Sequence, residues 1–181
     1  MANLSSIFVP ENITFDQGIE ITELLLNELA DNSLSEVEIK RTITELVKTH
    51  NGARGFFVTY LTDGRTCFDQ PIDPIIQALE TSPEIVSDLL VKNVAMSSAM
   101  VVYHHRNNNL EMQDSSQRVV QRSTGLILQL NCPLLRSQLQ DLFKTAKTGE
   151  GTYQDFLKRW EYDSEQIVAI VKILERLLSS D

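Results

Sequence analysis

From Pro83 to Arg106 the chain reads PEIVSDLLVKNVAMSSAMVVYHHR. Ser82 stands where an N-cap belongs, Pro83 suits the first turn, and no further Gly or Pro interrupts the segment. The pattern predicts one helix of about 24 residues, roughly 36 Å long at 1.5 Å per residue. Between Leu89 and Tyr103 nearly every face is apolar or small, the signature of a helix enclosed by other helices. No stretch reaches the roughly 18 unbroken apolar residues expected of a membrane span. A rod of this kind needs amphipathic neighbours, and the rest of the chain supplies them.

Thr14 and Gln17 form a capping box ahead of Leu24, Leu25 and Leu29 at helical spacing. Serines precede Glu36 and Glu38, and Ile39, Ile43, Leu46 and Val47 repeat the helical period, with Asn51 and Gly52 as the expected stop. Beyond Pro71, Asp73 with Pro74 opens a short helix. A longer one follows from Leu110, and a break at "NCP" precedes Leu135, Leu139, Leu142, Phe143 and Ala146 on one face. After the loop "TGEGT", Tyr153, Phe156, Leu157 and Trp160 share a face. Asp163 and Gln166 then form a second capping box before Ile167, Ile170, Val171, Leu174, Leu177 and Leu178.

One segment speaks for strand. In "GFFVTYLTDGRTCFDQ", Asp63 and Gly64 separate two runs rich in aromatic and β-branched residues, which predicts a tight hairpin over 53–70. The expected fold is mainly α: a single domain over 1–181, about eight helices around the long central one, one short β-hairpin, and an irregular arm over 1–13. Phe8 and Val9 of the arm are expected to lean on the core.

The chain carries 16 Lys or Arg and 25 Asp or Glu, a net charge of −9. That opposes bulk attraction to nucleic acid or to an anionic membrane surface. The imbalance is concentrated early: residues 1–52 hold three cations against nine carboxylates, whereas residues 103–160 hold eight against five. The two cysteines, Cys67 and Cys132, lie far apart and in no metal-ligand spacing, so free thiols in a reducing compartment are expected. The opening "MANLSSIFVPENITF" has no positive side chain. The cytoplasm is therefore the expected location.

Two of the three histidines, His104 and His105, are adjacent at the end of the long helix. Neighbouring residues point about 100° apart, so the pair is poorly placed to hold one metal, and at most one faces inward. The simplest account is a polar last turn, where a protonated histidine also suits the helix C-terminus. Asp114, Arg118 and Arg122 follow one another at i, i+4, i+8, and two guanidinium forks on one face can clamp a carboxylate or phosphate. Tyr103, His104, His105, Arg106, Arg118 and Arg122 thus form the candidate ligand-binding set, for a small anionic ligand of a sensor or an enzyme.

No zinc-peptidase, nucleophile-elbow, dinucleotide or EF-hand pattern is present, and no metal or cofactor is expected. Helix number and length are similar to those of globin-like folds, which hold a flat tetrapyrrole, but no globin or bilin-protein motif matches. A tetrapyrrole-type binder using one histidine is the third alternative. The leading expectation is a non-catalytic module that acts through contacts with itself, as a homo-oligomer, or with another protein. The apolar 53–70 segment is its expected contact surface.

Overall fold

The computed structural model describes residues 7–180. Among these are nine α-helices: α1 (Phe15–Ala30), α2 (Glu36–Val47), α3 (His50–Thr62), α4 (Asp73–Leu79), α5 (Pro83–Arg106), α6 (Leu110–Gln129), α7 (Pro133–Thr148), α8 (Gln154–Arg159) and α9 (Ser164–Leu178). A 3-10 turn spans Thr66–Phe68. The chain forms two compact units, Met1–Val86 and Ser87–Asp181, and the boundary falls inside α5. The sequence suggests one bundle over 1–181. Of the arm over 1–13, residues 1–6 lie outside the described residues. Phe8 does not join the core, being 79% exposed, whereas Ile13 is buried.

In the first unit, the local signals act as expected at both early helix starts. The Thr14 hydroxyl accepts from the Gln17 N–H at 3.2 Å, and the Gln17 amide oxygen accepts from the Thr14 N–H at 3.0 Å. Ser35 and Glu38 repeat the exchange at 3.3 and 2.9 Å. The Ser35 hydroxyl and N–H hold the Glu38 carboxyl below its ordinary range.

The β-hairpin predicted over 53–70 is not there, and no strand occurs among the described residues. Phe56, Phe57, Tyr60 and Leu61 are buried while Val58 is exposed, which is a helical period and not an alternating one. Thr49 caps α3 by accepting from the Gly52 N–H at 3.1 Å, so Asn51 and Gly52 open this helix instead of ending the previous one. Asp63 is the C-cap residue of α3, and its carboxylate receives the Arg65 backbone N–H at 2.8 Å and the Arg65 Nε at 2.9 Å. A primed hairpin turn would need Gly64 at positive φ. Among the described residues only Gly149 and Gly151 of the glycines adopt one.

What overrides the strand propensity is a helix crossing made of glycines. A β-carbon on Gly18 would lie 3.3 Å from the Asn51 carbonyl oxygen, and one on Gly52 would lie 3.1 Å from Ile13 Cγ2. Arg54 stacks over the Phe15 ring at 4.8 Å, and Arg65 Nη1 donates to Asn27 Oδ1 at 2.9 Å. These contacts advance in the same order along both chains, so α1 and α3 run parallel and α2 returns between them. Phe56, Phe57 and Tyr60 of α3 are fully buried, as are Leu25 and Leu26 of α1 and Ile43 and Leu46 of α2. Phe56 meets Phe57 edge-on at 5.3 Å and stacks on Tyr60 at 5.4 Å. Helix propensity of the aromatic run is unremarkable, and burial of this area decides its state.

In the second unit, α9 packs on α7 and α6, and α8 packs on α7. Arg136 Nη2, in the first turn of α7, donates to the Leu178 carbonyl at 3.4 Å, so α7 and α9 are antiparallel. Leu126, Leu142, Ile170 and Leu174 are fully buried, as are Leu90, Val91, Val94 and Ala95 of α5. By length and composition alone α5 could cross a membrane, a property shared by buried core helices. It also carries the Lys92–Asp88 ion pair at 2.6 Å. Gly149 ends α7 in the left-handed conformation at φ 78°, its N–H bonded to the Thr145 carbonyl at 2.8 Å.

Candidate functional site

The three asparagines after α5 each have a distinct task. Asn107 Nδ2 donates to the Tyr103 carbonyl at 2.8 Å. Asn108 adopts φ 52°, a left-handed conformation that asparagine tolerates. Asn109 caps α6, its Oδ1 accepting from the Met112 N–H at 3.2 Å, while its own N–H satisfies the His104 carbonyl at 3.0 Å. Polar side chains here complete the helix ends.

This turn sets the positions of the candidate residues. His104 is buried, 8% exposed, with its ring edge-on to Tyr103 at 5.3 Å. His105 is exposed, and its Nδ1 lies 3.3 Å from Gln113 Oε1. Extending the Val94, Ser98, Val101 face would turn His105 inward. Instead the buried ring is His104.

Arg106 is committed elsewhere. Its Nε donates to Glu165 Oε2 at 2.9 Å and its Nη2 to Asp163 Oδ1 at 3.2 Å, and further contacts join it to both carboxylates. Asp163 at the same time caps α9, accepting from the Glu165 and Gln166 N–H groups at 3.0 Å each. The Arg106 guanidinium, with the Gln166 N–H second, holds the Asp163 carboxyl down to about 2. The same hydrogen bonds raise the Arg106 pKa. Gln166 completes the junction, its Nε2 reaching the Ala99 carbonyl at 3.3 Å. The end of α5 is thereby tied to the start of α9.

Arg118 and Arg122 stand apart from this end. Counting from Gln113, which lies beside His105, they sit about 7.5 and 13.5 Å further along α6 at 1.5 Å per residue. Arg118 is half-buried, and no ion pair joins it to Asp114 among the described residues. Arg122 is only 1% exposed, the largest of the fully buried side chains. The structure therefore gathers Tyr103, His104, His105 and Arg106 at one helix end and places the two α6 arginines elsewhere. Among the described residues no three His, Cys, Asp or Glu side chains are grouped to hold a metal ion.

Clefts elsewhere among the described residues include the following three. One of about 240 Å³ lies by Tyr60, Cys67, Phe68 and Ile75. A second, about 340 Å³, lies between Thr145, Leu157, Lys158, Glu161 and Tyr162. Burial pushes the Tyr162 phenol up to about 12. The third, also about 340 Å³, opens where α6 ends and α7 begins, at Cys132 and Arg136. Cys132 Sγ lies 3.4 Å from Ser87 Oγ, and both thiols of the chain are free. Sequence reasoning noted the helix start after Cys132 but missed the cleft. The signal was a cation, Arg136, one turn past an uncapped start, but the depth of the surface there depends on distant segments.

No curated protein and no solved structure matches the chain. A family model matches residues 14–177, from the first capping box to the last turn of α9. The chain belongs to the family described as uncharacterised conserved protein UCP020893.

Proposed function

We propose that this protein is a non-catalytic helical module that works through protein–protein contacts and associates with copies of itself. The observation that supports this reading is the apolar tip of the α5–α6 turn. Tyr103, in the last turn of α5, is 50% exposed, and Leu110 and Met112, in the first turn of α6, are 68% and 45% exposed. Large apolar side chains gathered on a surface gain by being covered. The free thiols Cys67 and Cys132 suit a cytoplasmic location, and the net charge of −9 disfavours nucleic acid and anionic membrane as partners.

The test is solution mass by light scattering across a concentration series. Self-association predicts a mass above one chain that falls toward it on dilution, and Leu110→Asp abolishes the increase without loss of helical signal. A protein that remains one chain at every concentration defeats this reading.

A further inference from the structure

We propose that the cleft between the end of α7, α8 and the start of α9 binds a zwitterionic amino acid with an apolar side chain. The site is independent of the contact reading and goes beyond it. The cleft measures about 340 Å³, within the range of small-ligand sites. Ala146 and Leu157 are buried along it and Ile167 and Tyr162 are half-buried, so its walls are mostly apolar. An apolar side chain that enters leaves water, and its burial supplies affinity in proportion to the area covered.

The exposed part of the lining carries both signs of charge, on Lys158 and Glu161. The Glu161 N–H donates to the Lys158 carbonyl at 3.1 Å, which holds the two residues in one turn. Among the described residues neither side chain forms an ion pair, with the other or with any further group. The other two clefts differ. Among the described residues the one by Cys67 has no charged lining, and the one at the start of α7 has no carboxylate. A net anion would meet Glu161 here and a net cation would meet Lys158, whereas a zwitterion offers each charge its opposite.

The backbone assigns the two ends of such a ligand. Glu161 adopts φ 48°, a left-handed conformation in which glycine or asparagine is more at ease. The chain thus keeps a carboxylate on the cleft where the backbone alone suits glycine. Thr145, Ala146 and Gly149 bring the C-terminal end of the 16-residue α7 to the same lining, and the negative end of its dipole favours an ammonium group. The Tyr162 phenol, which burial keeps protonated up to about pH 12, makes no hydrogen bond among the described residues and is a donor for a carboxylate. The ammonium group therefore belongs at Glu161 and the end of α7, the carboxylate at Lys158 and Tyr162, and the apolar side chain against Leu157 and Ala146.

The probes are leucine and phenylalanine, titrated calorimetrically into the full chain. Isopentylamine and isocaproate are the comparison arms, being leucine without its carboxylate and without its amine. We expect saturation at one amino acid per chain, with each arm about tenfold weaker than leucine, the scale of one charge-assisted hydrogen bond. Lys158→Met brings leucine to the level of isopentylamine, and Lys158→Arg restores most of the difference. Glu161→Gln brings leucine to the level of isocaproate. Both positions are exposed, so the variants keep the fold, which circular dichroism verifies. Absence of saturable heat with both amino acids at millimolar concentration overturns the proposal. So does a leucine affinity that either Lys158→Met or Glu161→Gln leaves unchanged.

Discussion

Gly55 of α3 rests on the backbone of Gly18 of α1, so closely that a β-carbon on Gly55 would fall 2.6 Å from the Gly18 carbonyl carbon. The atoms nearest that β-carbon are backbone atoms of Gly18 and Ile19, so neither helix can give way locally. This crossing turns a segment with strand composition into a helix.

Gly55→Ala should therefore destabilise the protein by about 1–3 kcal/mol, the usual cost of overpacking, despite alanine's better helix propensity. Gly64→Ala is the contrasting case. Nothing lies within 4 Å of its β-carbon and its φ is not positive, so the change should stay within about 0.5 kcal/mol. Urea unfolding of both variants measures the difference. A larger loss at Gly64 would restore the hairpin.

The two histidines should separate on mutation. His104→Ala removes a buried ring and should cost about 1–3 kcal/mol, whereas His105→Ala should stay within about 0.5 kcal/mol. Chemical denaturation checks both values. Equal losses would mean that both rings are enclosed.

The Arg106–Asp163 junction gives stability a definite acid dependence. The Asp163 carboxyl titrates at about 2 in the folded chain, against about 4 when unfolded. Its contribution is complete above the unfolded value and drains away as pH falls from about 4 toward 2. The melting temperature should fall across that window, and less steeply in Asp163→Asn, whose side chain does not titrate. Identical slopes in the two proteins would remove Asp163 as the cause.

Two phenols should resist ionisation. Burial, followed by the charges of Asp88 and Asp141, pushes Tyr153 up to about 12, and burial alone does so for Tyr162. Tyr153 and Tyr162 should develop phenolate absorbance only near that pH in the native protein. Their stabilising effect is present below about 10 and is lost as pH climbs toward 12. Tyr153→Phe and Tyr162→Phe should each delete one late-titrating phenol.

The sequence by itself determined most helix starts and the length of α5, because these follow from neighbours three or four residues apart. Thr14 with Gln17, Ser35 with Glu38, and Asp163 with Gln166 cap helices through bonds that the local order of residues already specifies. The candidate site was legible only in part. Tyr103 to Arg106 do share one helix end, but Arg118 and Arg122 are too far along α6 to join them. Arg106 finds its partners at Asp163 and Glu165, nearly sixty residues away. Tertiary structure alone decided those pairings, the choice of His104 over His105 for burial, the cleft at Arg136, and the helical state of Gly52 to Leu61. Each depends on what a distant segment places against the chain. Period and propensity describe one segment's preferences, and the contact of Gly55 with Gly18 is a property of two.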